Sequence, residues 1–500
     1  MGARGNALVS FRGMTVDDDT ASLVADPRVA GVTLYLPLNI ENAGQTRRLT
    51  SDLVSAAGRP LLFAIDQEGG QLLAAGPDAT PFPGNMALGA VGDTALTERV
   101  AAAIGRELRA LGINVDLAPV ADIATRPYNP SMGIRSFGED TAAVADHTAA
   151  FVRGLQGEGV AATLKHFPGK GEADLDPHHD LPVLELDRDR LDTVELAPFR
   201  AGIEAGARLL MVGHYGLPSV TGDHVTPTSV SPEVMVDLVR GHLGFDGLVV
   251  TDALDMGGYG DRASETPLAS GADLILYGPA QAGVLPKTPA GESSRLDDLH
   301  QWLGRFPSAD LSVLGCPEHM SIATEVAERS ITVVRDEDGL LPIRPRSGSR
   351  ILAVMPRPKD LTPADTSSLV EPGLAEAIRR LHGETTEVVV DFDPSDAEIE
   401  YVAGEARAHD YVVVGTIDAS PGQARLVREL LGTGDRVITV ALRTPYDLAR
   451  YPDARTYLCT YGILPITMTA LAKVLFGASA PGRLPVAIPG LHPLGQGLGS

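Results

Sequence analysis

Cysteine is nearly missing from this chain: Cys316 and Cys459 are the only two in 500 residues, far apart and outside any C-x-x-C pair. That excludes a disulfide framework or a thiolate metal site as the organising device, and free buried thiols are expected. Nor does any apolar run reach the ~18 residues that would cross a bilayer. The opening MGARGNALVSFRGMTVDDD has no continuous apolar stretch before a small-residue cleavage site, so the chain reads as cytoplasmic. Positive charge is scarce as well, with 41 Lys and Arg against 65 Asp and Glu and a formal net charge of −24. Such a surface repels phosphate backbones and anionic lipid, which disfavours nucleic acid and membrane as partners; solubility is the plain explanation.

What is present has an ordinary globular balance, 44% hydrophobic and 21% charged, in a chain long enough for two cores. Its first ~275 residues alternate short β-branched runs with amphipathic stretches, the pattern of βαβ units around a parallel sheet. Eight strands are predicted: Leu8–Phe11, Val32–Leu38, Leu61–Asp66, Asn114–Leu117, Ala162–His166, Leu209–His214, Leu248–Asp252 and Asp273–Tyr277. Asp140 reads as the N-cap of a helix with Val144, Thr148, Phe151, Val152 and Leu155 on its apolar face, ending at Gly157 and Gly159. Eight strands suggest an α/β fold opening with a TIM-like (β/α)8 barrel over residues 1–285. The stretch GPAQAGVLPKTPAGESS then begins a linker and connecting helix, 286–345, with helical passages around Trp302 and Leu303 and from Met320 to Glu328. A second alternation, ILAVMP, EVVVDF, YVVVGT and RVITVAL, with a helix from Pro421 to Leu431, predicts a C-terminal α/β sandwich domain over 346–500.

Polar residues close four of the predicted strands: Asp66, His166, His214 and Asp252. One such residue alone is a strand-exit cap; four together fit the barrel mouth, where the loops of a (β/α)8 fold carry chemistry. The loop LKHFPGKGEADLDPHHDLP, Leu164 to Pro182, adds Lys165, Lys170, His178, His179, Glu172, Asp174, Asp176 and Asp180. An Asp two residues before a His can fold back to orient the imidazole, and Asp176 and His178 have that spacing. A solvated surface loop is the bland alternative. In HLGFDGLVVTDALDM a buried strand runs into Thr251 and Asp252, and strand geometry leaves Asp252 open as nucleophile, metal ligand or helix N-cap.

LGFDGLVVTDALDM resembles the nucleophile signature of glycoside hydrolase family 3, and K-H-F-P-G, Lys165 to Gly169, resembles that family's bacterial β-N-acetylglucosaminidases. IDQEGG, VDLAPVADI, NP…RSFGED and MVGH follow the same pattern in order, as do AERSITVVRDEDGLLPI, LRTPYDLARYP and VLFGASAPGRLPVAIPG in the second half. The resemblance implies a retaining hydrolase that releases terminal β-linked N-acetylglucosamine without metal or cofactor, in a cell-wall recycling setting. It makes Asp252 the nucleophile and Asp176-Pro177-His178 the acid/base triplet, with Asp66, Arg135, Lys165, His166 and His214 binding the sugar. Tyr128 and Met132 are expected as apolar contacts to it. Arg135 and Lys165 read alone fit structural ion pairing equally well. The chain departs from the family at Lys170 (usually His), Glu172 (usually Asp) and Gln71 (commonly Arg); Gln71 weighs against a muropeptide aglycone. His179 leaves a one-residue choice for the acid/base, and the spacing favours His178.

Four alternatives stay open. An imidazole acid/base in place of a carboxylate removes negative charge from the acceptor side, which admits a β-N-acetylglucosaminide or β-glucoside phosphorylase. A related β-glycosidase of secondary metabolites, or a sugar-binding protein without turnover, uses the same residues. A metallohydrolase would take His166, His178, His214 and Asp252 as ligands, though without short H-x-H spacing.

Overall fold

The computed structural model describes residues 5–499 apart from 265, 288–292, 364 and 435. Eight parallel strands close into a barrel: β1 Ala7–Val9, β2 Val29–Thr33, β3 Leu62–Ile65, β4 Val115–Asp116, β5 Ala161–Phe167, β6 Leu209–Val212, β7 Leu248–Ala253 and β8 Leu274–Leu276. Each pairs with its sequence neighbours, and β8 closes on β1 through Ala7 opposite Ile275. Period-2 geometry sorts their side chains. Leu62 and Ala64, Leu209 and Met211, Leu248 and Val250, and Leu274 and Leu276 form one inner cluster, with Leu296, Leu299 and Trp302 of the helix Ser294–Leu303 packed on it. Phe63, Ile65, Leu210, Val212, Val249 and Ile275 belong instead to the outer layer under the helices.

The helix Thr141–Gly157 starts as its sequence indicates: Asp140 accepts a hydrogen bond from the Ala143 N–H at 2.8 Å. Its neighbour, Thr94–Leu111, lies so close that a Cβ on Gly154 would stand 2.2 Å from the Glu98 carbonyl oxygen. Only glycine permits that approach.

The second predicted strand is shifted. It runs Val29–Thr33, not Val32–Leu38, and the chain then turns over 36–39. Asn39 draws the segment away from the sheet: its Oδ1 accepts from Tyr35 N–H, and its amide donates to the Phe11 and Gly13 carbonyls.

Six further strands, β9 Thr332–Asp336, β10 Ile351–Pro356, β11 Thr385–Val390, β12 Tyr411–Thr416, β13 Val437–Ala441 and β14 Thr456–Cys459, form a second sheet in the order β9-β14-β13-β12-β10-β11. Helices including Leu374–Arg379, Pro421–Leu431 and Pro465–Leu475 build the α/β layers around it. Two of its strands escape the pattern reading. β14 is only four residues long, and β9, antiparallel at the edge, comes from the stretch read as linker. The 286–345 segment therefore contributes a strand to the sheet, after the helix Pro317–Ser330; its residues 288–292 lie outside the described ones. One apolar cluster runs from the barrel's outer layer into the sheet through Leu352, Val354, Val390, Val412 and Val414. Among the described residues no helix is long and apolar enough to cross a membrane.

Candidate active site

The inner register does not stop at the strand ends. Leu62 and Ala64 lead to Asp66, Leu248 and Val250 to Asp252, and Ala161 and Thr163 to Lys165, so these three polar side chains continue inward into the barrel mouth. They line a cavity of about 350 Å³ together with Arg135, His166, Lys170, His178 and His179. Leu34, Leu117, Met211 and Leu276 supply its apolar wall. His166 lies on the outer register, but the pairing shifts between Leu164 and Phe167, and that irregularity brings it to the mouth. His214 follows Val212 on the outer register and stays there. It is fully buried, its Nδ1 2.6 Å from Ser229 Oγ and its Nε2 donating to the Ala253 carbonyl at 3.0 Å. Of Asp66, Arg135, Lys165, His166 and His214 it alone misses the cavity, buttressing the Asp252 strand from behind.

Asp252 is half-buried at the end of β7, where its Oδ1 accepts the Ala253 N–H at 2.8 Å. Among the described residues no cation sits at ion-pair distance from it. Burial works against its ionisation, but the neighbouring His166, His214 and His178 side chains outweigh it and hold the carboxyl below its ordinary range. The same cavity holds the His178 of the pair foreseen in the loop: His178 Nδ1 lies 2.7 Å from Asp176 Oδ1, which also accepts the His178 backbone N–H. A carboxylate only accepts, so Nδ1 carries the proton and Nε2 is left for chemistry. Burial raises the Asp176 carboxyl, yet the His178 hydrogen bonds bring it below its usual value. Among the described residues His179 has no such partner; it gives its backbone N–H to the Asp176 carbonyl, and its side chain is exposed. The loop is pinned to the segment after Asp252, with Gly257 N–H bonded to the His178 carbonyl and Gly258 N–H to that of Pro177, both 2.9 Å.

Two carboxylates that sequence reasoning did not single out organise the sugar side. Glu68 is buried and takes a bidentate pair of hydrogen bonds from Arg135 (2.9 and 2.8 Å) and the Lys165 ammonium at 2.5 Å. Lys165 also meets Asp66 at 2.6 Å. Desolvation opposes charge on Glu68, but Arg135 and Lys165 hold it far below the carboxylate range; its own field and that of Asp66 keep Lys165 protonated. Asp122 accepts from His166, 2.8 Å from Nδ1, and from the backbone N–H groups of His166 and Lys170. Because Arg135 donates to His166 Nε2 at 3.3 Å, that imidazole is neutral, and burial followed by Lys170 and Arg135 drives its pKa well down. Both acids lie inside motifs already noted, IDQEGG and VDLAPVADI, and a buried acid within a motif was the available signal.

The three departures point in different directions. Lys170 lines the cavity, almost fully buried, and no carboxylate lies within ion-pair reach of its ammonium among the described residues. Desolvation, reinforced by Arg135, lowers its pKa to about 7. Glu172 turns away to pair with Arg190 at 2.7 Å. Gln71 faces the second domain, where its side chain accepts from Arg443 and its carbonyl from the Thr366 N–H and hydroxyl. Thr366 carries Asp365 and Pro363 to the rim of the cavity, along with Tyr35 and Asp255 from the barrel; none of these was expected. Tyr128 and Met132 line a different cavity. The described residues hold no cluster of three or more His, Cys, Asp or Glu side chains arranged for a metal, and His166 and His214 are committed elsewhere.

Residues 4–291 match the family model described as the glycosyl hydrolase family 3 N terminal domain. Beta-hexosaminidase A of Pseudoalteromonas piscicida is 30% identical over an alignment covering 95% of this chain and 92% of that protein. A beta-N-acetylglucosaminidase/beta-glucosidase of Cellulomonas fimi is 31% identical, covering 90% and 87%. A solved family 3 beta-N-acetylglucosaminidase from Paenibacillus sp. str. FPU-7 superposes with a TM-score of 0.88 at 33% identity, over 96% of this chain and 97% of that one.

Proposed function

The chain belongs to glycosyl hydrolase family 3 and is a glycoside hydrolase, and from that premise we propose that it is a retaining exo-β-N-acetylglucosaminidase with Asp252 as nucleophile and His178, oriented by Asp176, as acid/base. One observation carries the reading: an uncompensated carboxylate and a carboxylate-held imidazole line the same cavity. The relatives named for N-acetylglucosamine or hexosamine release support the choice of sugar.

The reaction runs in two displacements. Asp252 attacks the anomeric carbon while the protonated Nε2 of His178 gives its proton to the departing oxygen; the glycosidic bond breaks and a glycosyl ester forms. Neutral His178 then takes a proton from water, whose oxygen attacks the anomeric carbon and releases Asp252. Asp176 stabilises the imidazolium in each half. Asp66, Lys165, Arg135 and His166 bind the sugar ring, their polarity set by Glu68 and Asp122 from behind. Residues 1–285 carry every reacting group, and the domain of 346–500 supplies part of the rim. Cys316 and Cys459, both free thiols, fit action in the cytoplasm on a small glycoside.

A second reading has its own observation. The unpaired Lys170 ammonium in the same cavity favours an anionic acceptor, so phosphate in place of water would give phosphorolysis. Proton NMR of 4-nitrophenyl β-N-acetylglucosaminide turnover tests both readings. Hydrolysis with retention releases the β-anomer of the free sugar first, and Asp252→Asn lowers the rate by about 10⁴-fold or more, as for other nucleophile deletions. An α-anomer, or an active Asp252→Asn enzyme, sinks the assignment; sugar 1-phosphate in phosphate buffer selects the second reading.

A further inference from the structure

A second cavity, about 270 Å³, lies in the seam between the barrel and the C-terminal domain. Its barrel wall is the loop after β4, over residues 124–133, and its other wall comes from 361–362 and 418–450; none of the groups in the proposed mechanism lines it.

Its surfaces carry features that packing alone leaves unexplained. Tyr128, half-exposed, has its ring 5.3 Å from that of Tyr446, and the Arg450 guanidinium stands over the Tyr128 ring at 5.1 Å. Tyr128 and Asp418 sit in the left-handed backbone region, with φ of 60° and 43°, a conformation costly to any residue with a side chain. Tyr446 and Thr362 are more than nine-tenths buried, and among the described residues their hydroxyls have no hydrogen-bond partner.

Aromatic rings, a guanidinium and a carboxylate are together a set that suits a sugar ring. Its C–H face packs on tyrosine and its hydroxyls bond to the polar groups. The volume falls just under the ~300–1,000 Å³ of drug-sized pockets, room for one ring and not an oligosaccharide. We propose that this seam cavity is a second saccharide site, binding a single pyranose apart from the catalytic cavity.

The site is coupled to catalysis through its barrel wall. Asn129, on the loop beside Tyr128, donates to the Lys170 and Gly171 carbonyls at 2.9 and 3.0 Å, and Arg135 at the end of the same loop holds Glu68 and touches His166. A sugar in the seam therefore presses on the loop that forms the wall of the active site, and the turnover rate responds to its occupancy.

Saturation-transfer NMR titrations of N-acetylglucosamine and glucose on the full chain test this. Asp66→Ala weakens the catalytic cavity, and one saturable sugar site is expected to persist in it. Adding Tyr128→Ala, or separately Arg450→Ala, both exposed side chains whose loss leaves the thermal midpoint nearly unchanged, weakens that remaining site at least tenfold. Absence of saturable binding to Asp66→Ala, or unchanged binding after both seam substitutions, overturns the proposal. Failure of the wild type to turn over the aryl N-acetylglucosaminide, with seam binding intact, counts against the proposed function alone.

Discussion

Lys170 carries a charge that the surrounding protein does not neutralise. With a pKa of about 7 against an ordinary 10.5, it binds fewer protons folded than unfolded between those values, so stability rises as pH climbs from about 7 to 10.5 and the burial cost is fully felt below 7. Lys170→Met is therefore expected to raise the thermal midpoint most at pH 6 and progressively less toward pH 10; an equal effect at both ends contradicts the assignment. Lys165 is the opposite case. Its removal leaves buried Glu68 with Arg135 alone, and Lys165→Met should cost about 3–5 kcal/mol by chemical denaturation. At this scale the sequence was informative wherever an inward register ran out to the mouth of the barrel, as at Asp66, Lys165 and Asp252. It misplaced His214, one residue out of that register, and passed over Glu68 and Asp122, whose roles exist only once distant residues meet.

Between elements, the decisive contact is the acid/base loop laid against the segment after β7. A Cβ at Gly257 would fall 2.2 Å from the His179 carbonyl oxygen, so any side chain there pushes the loop and His178 off their position. Gly257→Ala is expected to slow substrates with poor leaving groups, which need protonation, by about 10²–10⁴-fold, the span of general acid catalysis. A 2,4-dinitrophenyl glycoside should lose far less in bond cleavage; an equal loss on both substrates would place the damage elsewhere. The loop's Asp-x-His spacing was readable in advance, because i to i+2 contacts are local. Its docking was not, since the 176–180 and 257–258 segments are some eighty residues apart. The barrel's strand count survived translation into structure for the same reason: short β-branched runs carry their own signal, whereas β14 and the edge strand β9 of the second sheet are set by the sheet they join.

Across the whole molecule, an apolar cluster shared by the barrel's outer layer and the second sheet argues that the two halves unfold together. The bonds from Arg443 and Thr366 to Gln71 tie the same seam. Scanning calorimetry of the full chain should give a single endotherm; two resolved transitions would make the halves independent. That union places a loop of the C-terminal domain at the rim of the catalytic cavity, an arrangement no local pattern foretold. Retaining turnover requires the Asp252 carboxylate to become bonded to the sugar. Incubation with an activated fluoro-N-acetylglucosaminide that slows the second step, followed by peptide mapping by mass spectrometry, should find one sugar esterified to Asp252 in the LVVTDALDM segment. A stoichiometric label on any other carboxylate, or inactivation without a covalent sugar, would contradict it.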